Sequence, residues 1–163
     1  MKPLSTRFFL AISLLLGSTG PNWSADFNKG LDAARRGDFL TALREWSPLA
    51  ERGDSTAQIN LGVMYEDGKG VPQDYKKAVK WYKLAAEQGD SRAQVNLGLM
   101  YAKGFGVMLD NVSAYVWLNI AASTGDKDAA SNRDIISKRM TAGDISIAQD
   151  LALECIKKNY KEC

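Results

Sequence analysis

Histidine is absent from all 163 residues. That removes the commonest general base and the commonest metal ligand at neutral pH. The chain also lacks a G-x-S-x-G elbow and an H-E-x-x-H helix, and Gly68-Lys69-Gly70 has neither the glycine spacing nor the hydroxyl partner of a phosphate loop. Carboxylates are plentiful, but Asp74 and Asp110 stand where helices are expected to start, and Glu66-Asp67 reads as a solvated face. No catalytic residue, cofactor or metal site is assigned, and the chain is read as a non-enzyme.

Cysteine is scarce. Only Cys155 and Cys163 occur, both near the C-terminus. Two thiols without histidine do not complete a tetrahedral metal shell, so in an exported chain the pair is expected to form a disulfide. A long apolar run is missing as well. Phe8–Leu16 has nine residues, which as a helix rise about 14 Å against a hydrocarbon core of about 30 Å. With Lys2 and Arg7 before it and Gly17 to Pro21 after it, this stretch reads as a secretory signal peptide over 1–24. The mature chain is therefore expected to be periplasmic or secreted, with no membrane span. Charge of one sign is lacking too: removing Lys2 and Arg7 from the 21 basic residues leaves 19 against 19 acidic ones. A neutral chain argues against nucleic acid as a partner.

What the chain has is repetition. Shifted by 36 residues, Gly53–Gln88 matches Gly89–Thr124 at 18 of 36 positions. The common frame is G-D-S-x-A-Q-x-N-L-G-x-M-Y-x-x-G-x-G-V-x-x-D-x-x-x-A-x-x-W-x-x-x-A-A. A fixed period of this size marks a stacked repeat array whose units contact only their neighbours, an architecture that points to binding.

Each unit reads as two helices. Asp54 or Ser55 caps the first, which carries an apolar stripe at Ala57, Leu61, Met64 and Tyr65. Gly68 and Gly70 end it by permitting positive φ. Asp74 caps the second, with Ala78, Trp81, Tyr82, Ala85 and Ala86 as its stripe. The second unit repeats this with Ala93, Leu97, Met100 and Tyr101, then Asp110, Ala114, Trp117, Leu118, Ala121 and Ala122. The aromatic residues Trp46, Trp81, Tyr82, Trp117, Tyr65 and Tyr101 are assigned to packing. Gly62 and Gly98 mark close helix crossings, and Asn60 and Asn96 are expected to hydrogen-bond between repeats. Weaker units flank the two: a pair over 25–52 with a tight Gly37-Asp38 turn, and a capping pair over 125–163 in which Thr141 and Asp144 resemble a capping box. The expected fold is all-α: a right-handed α-solenoid of about four helix pairs, with full repeats at 53–88 and 89–124.

The stretch A-Q-x-N-L-G-x-M-Y-x-x-G-x-G-V-x-x-D-x-x-x-A-x-x-W resembles the Sel1-like repeat family, relatives of the tetratricopeptide repeats. Met108, Asn111 and Leu118 depart from the pattern, standing where the first unit has Pro72, Tyr75 and Tyr82. The N-terminal pair looks closer to a plain tetratricopeptide unit. The tail R-M-T-x-x-D-I-x-x-A-Q-x-L-A-x-E-C-x-x-K-N-Y-x-x-C resembles that of small exported bacterial members.

The resemblance implies an adaptor that holds a protein or peptide partner on the first helices of its units. Carried over by position, the partner-binding residues are Thr56, Ile59, Val63 and Glu66, then Arg92, Val95, Leu99 and Lys103. An apolar strip with polar edges suits an extended peptide or a partner helix. Two alternatives stand beside it. One is a cell-envelope enzyme or a β-lactam- or peptidoglycan-binding protein, although the members linked to that chemistry carry a cysteine pair in each repeat and this chain has none there. The other is a structural subunit that forms oligomers through its stack ends.

Overall fold

The computed structural model describes residues 25–161 and residue 163; the leader expected over 1–24 lies outside the described residues. The described residues form eight helices and no strand: α1 (Phe27–Arg35), α2 (Phe39–Glu51), α3 (Ser55–Asp67), α4 (Tyr75–Ala86), α5 (Ser91–Lys103), α6 (Asn111–Ser123), α7 (Lys127–Ser137) and α8 (Ala142–Lys157).

Aspartate starts most of these helices. Asp26, Asp38, Asp54, Asp74, Asp90, Asp110 and Asp126 each accept an amide N–H of the first turn, satisfying donors that have no partner within the helix. Asp54 is thus the cap of α3, and Ser55 is free to do something else: its hydroxyl reaches Asp90 Oδ2 at 3.4 Å, and Ser91 reaches Asp126 at 3.2 Å. The cap of each unit is tied to the next. Thr141 and Asp144 form the capping box expected at α8.

α3 and α5 end alike, on Gly68 and Gly104 at φ 69°. The chain then returns to a capping aspartate whose amide is held by the preceding helix: Asp74 N–H to Tyr65 O at 2.8 Å, and Asp110 N–H to Tyr101 O at 3.0 Å. Each loop also rests on the unit before it. Gly70 lies against Phe39 and Gly106 against the Tyr75 carbonyl, and Phe105 stacks on the Tyr75 ring at 4.6 Å.

Within a hairpin, a glycine on the first helix receives a large side chain from the second. Gly30 meets Trp46, Gly62 meets Tyr82 and Gly98 meets Leu118, each so close that an added Cβ would lie under 3 Å from it. Tyr82 is fully buried, and its hydroxyl donates to Glu66 Oε2 at 2.6 Å. Burial first, then the Glu66 carboxylate, push its phenol well above the ordinary tyrosine range. Around these contacts run two clusters, one centred on Trp46, Leu61 and Met64, the other extending from Tyr82 through Leu97 and Trp117 to Cys155.

Three expectations change. The side chains of Asn60 and Asn96 hydrogen-bond to no other described residue; the buried amides Gln58 and Gln94 bind the preceding unit instead, at Ala50 O (3.0 Å) and Ala86 O (3.3 Å). The reason is helical phase. Two residues further on, a side chain has turned about 200° and faces away from that neighbour. The aromatic stripe also divides: Trp46, Tyr82 and Trp117 are buried, whereas Tyr65, Tyr101 and Trp81 are half-buried. The last two helices, finally, depart from the hairpin pattern. α7 and α8 both pack on α6 and hardly on each other. α7 has only Ala129 and Ile136 as its buried residues, too narrow an apolar face for a hairpin partner, while α8 brings the small stripe Ala148, Ala152 and Cys155 to α6.

Cys155 and Cys163 form a disulfide. The short loop it closes is worth about 2–3 kcal/mol. Cys163→Ser is expected to lower unfolding stability by about that much without changing the helical spectrum, as measured by urea denaturation beside wild type with and without reductant. Reduction should affect wild type only.

Candidate functional site

The solvated face of the first helices is built from the same phase that builds the core. On α3, Thr56, Asn60 and Val63 fall within about 60° of one another, with Met64 about 70° and Leu61 about 130° round the helix from their centre. On α5 the same positions are Arg92, Asn96 and Leu99, with Lys103 one turn on. In sequence spacing alone, the same positions fall on Asp128, Asn132 and Ile135 of α7. The apolar residues Val63, Leu99 and Ile135 and the amides Asn60, Asn96 and Asn132 each recur at steps of 36 residues, and the Asn132 amide donates to Asp128 O at 2.9 Å. Ile135 is 47% exposed.

The expected binding residues divide on this face. Thr56, Val63 and Leu99 are half-buried at its centre, Val63 resting in part on the neighbouring core cluster as Val95 does, and Arg92 and Lys103 are exposed. Ile59 is buried and belongs to the packing of α3 on the next unit, Val95 is half-buried against the same cluster, and Glu66 is engaged by the Tyr82 hydroxyl. These three sit some 60–80° off the centre, where a helix meets its neighbours rather than solvent. Arg92 spans two units: it pairs with Asp90 at 2.9 Å and reaches Thr56 Oγ1 at 3.4 Å. Burial works to raise the Asp90 carboxyl, but the Arg92 hydrogen bond and charge outweigh it and hold Asp90 below the ordinary carboxylate range.

Sequence reasoning missed Asn60, Asn96 and Asn132 as surface groups, and it missed the third rung on α7. The repeated asparagine was visible at its 36-residue spacing. Its direction was not, because that depends on which side the neighbouring helix occupies. Asn132 was hidden by the loss of the L-G-x-M-Y core around it.

Helix hairpins stacked at a fixed period, with one solvated face repeating in register, define an α-solenoid scaffold. The chain carries two Sel1 repeats: residues 55–90 and 91–126 each match the Sel1 repeat. A protective antigen of uropathogenic Escherichia coli strains, solved and described as displaying an SLR fold, is 37% identical, with a TM-score of 0.76 over 83% of this chain and 30% of that one. A Sel1 repeat protein from Oxalobacter formigenes is 36% identical, with a TM-score of 0.61 over 64% of this chain and 42% of that one. Among curated proteins, the DAP3-binding cell death enhancer 1 of Rattus norvegicus is 40% identical over 50 residues, and that of Mus musculus 43% over 50 residues. The chain spans about a tenth of those two relatives and less than half of either solved structure. No helix among the described residues is long and apolar enough to cross a membrane.

Proposed function

We propose that this chain is an exported adaptor that holds an extended segment of a partner protein across the first helices of its repeats. The observation that carries this reading is the pair Asn60 and Asn96, half-buried at equivalent places on the solvated face, whose side-chain amides have no hydrogen-bond partner among the described residues. A side-chain amide offers a donor and an acceptor together, which is what a peptide backbone needs. Packed helices stand about 8–10 Å apart, close to the length of about three residues of extended chain. Val63, Leu99 and Ile135 beside the amides suit apolar side chains of such a segment. Export is supported by the leader over 1–24 and by the Cys155–Cys163 disulfide, a bond at home in oxidising compartments.

The test is capture of a partner from an envelope extract by the mature chain, followed by titration of that partner. Asn60→Ala with Asn96→Ala removes two net hydrogen bonds of about 1 kcal/mol each, so affinity should fall about 30-fold. Val63→Glu with Leu99→Glu should abolish capture. Both variants must retain the wild-type helical spectrum. Equal affinity of wild type and both variants would exclude this face as the binding site.

A further inference from the structure

The repeat symmetry exposes a second site, on the second helices. In the second repeat, the face of α6 is covered. α8 lies on it, the chain turns at Asn159 and Tyr160 with φ of 51° and 63°, and the Tyr160 ring settles over the Gly89 turn, where a Cβ on Gly89 would lie 2.9 Å from the ring. Trp117 and Ile120 are consequently buried, at 2% and 1% exposure. Thirty-six residues earlier the same positions are Gly53, Trp81 and Leu84. There, nothing lies within 4 Å of a Cβ on Gly53, Trp81 is half-buried and Leu84 is 37% exposed. Between the Gly53 turn and α4 an open cleft of about 500 Å³ remains, and Lys161, the residue after Tyr160, forms part of its wall.

We propose that this cleft is a binding site for a tyrosine side chain of a partner peptide, seated over Gly53 and against Trp81 as Tyr160 is seated over Gly89. The occupant is indicated by the molecule itself, since its own tail fills the equivalent place one repeat away. A positive-φ glycine leaves room for a ring to approach the turn, Trp81 supplies an aromatic wall, and the hydrogen-bonded Gln58–Gln88 pair (2.8 Å) gives a polar floor for a phenol. The rim carries Glu51 and Glu87 beside Arg52, Lys80 and Lys161, so charge does not select the residues flanking the tyrosine, and the tail sequence Lys-Asn-Tyr-Lys over 158–161 supplies them for the test. Gln58 reaches the cleft from the side of α3 about 200° away from Asn60, so the site does not depend on the adaptor reading of the asparagine face.

The experiment uses the mature, disulfide-bonded chain and a synthetic, end-blocked peptide Lys-Lys-Asn-Tyr-Lys, followed by two-dimensional 1H–15N NMR. The expected result is a saturable shift of the Trp81 indole N–H and the Gly53 amide at millimolar peptide. Replacing the peptide tyrosine by alanine should weaken binding at least about 5-fold, in keeping with the loss of one aromatic contact, and Leu84→Glu in the protein should weaken it comparably while its other amide resonances stay in place. Trp81→Ala supplies a second loss-of-site variant, followed through Gly53. Absence of a Trp81 or Gly53 shift, equal binding of the alanine peptide, or shifts confined to Asn60 and Asn96 or to the Trp117 region would each overturn the proposal.

Discussion

Tyr82→Ala is expected to destabilise the chain by about 3–5 kcal/mol, the usual cost of truncating a buried aromatic side chain. The ring is fully buried between α3 and α4, pressed on Gly62 so that an added Cβ there would lie 2.6 Å from Cδ1. Removing it opens a cavity beside a glycine, which has no side chain to relax into the space, so the cost should fall in the upper part of that range. A marginal domain has about 5–15 kcal/mol in total, and the variant should unfold at markedly lower urea with an unchanged slope. Tyr82→Phe separates the two roles of the residue. It retains the packing and loses only the 2.6 Å hydrogen bond to Glu66, whose carboxylate is half-buried and open to water, so about 1–2 kcal/mol is expected. Similar losses for the two variants would show that the hydrogen bond, and not the fit against Gly62, holds the hairpin.

Gly106→Ala should cost about 2–5 kcal/mol, from two sources that can be measured apart. The residue has φ 72°, which charges any side chain about 1–2 kcal/mol. A Cβ there would also meet the Tyr75 carbonyl and come within 2.7 Å of the Lys76 amide nitrogen, both backbone atoms of the preceding repeat. Backbone in the first turn of a helix cannot rotate aside as a side chain can, so overpacking adds about 1–3 kcal/mol. Gly125 provides the control: φ is 93° and nothing lies within 4 Å of its Cβ position. Gly125→Ala should therefore show the strain alone. Equal losses at the two positions in chemical denaturation would mean that the loop of one repeat does not rest on the helix start of the one before it.

Much of this molecule was legible as text. The turn glycines at 68 and 104, the aspartate caps and the apolar stripes are local: a helix start needs a side-chain acceptor within three residues, and a helix end needs a residue that tolerates positive φ, wherever the helix packs. The disulfide was legible because only two cysteines were present to pair. The solvated face of the first helices was legible in part. Thr56, Val63, Arg92, Leu99 and Lys103 lie where the repeat frame puts them, but Ile59 and Glu66, only a few residues away, turn out to serve packing and the Tyr82 hydroxyl. A difference of 60–80° in phase separates solvent from neighbour, and a sequence does not say how wide the neighbour is.

The sequence by itself determined the period, the helix boundaries and which residues of a unit are apolar, because each of these follows from contacts within a few residues of the chain. Only the tertiary structure decided which equivalent surfaces are covered. Trp81 and Trp117 occupy the same place in the frame, yet one is half-buried and the other lies beneath α8. Their difference is set by α8, an element that begins at Ala142, 25 residues downstream of Trp117, abandons the hairpin pattern and docks on α6. α6 carries Val112, Val116 and Ile120 where α4 carries Lys76, Lys80 and Leu84, so the local residues show which face can be covered, and only long-range docking shows what covers it.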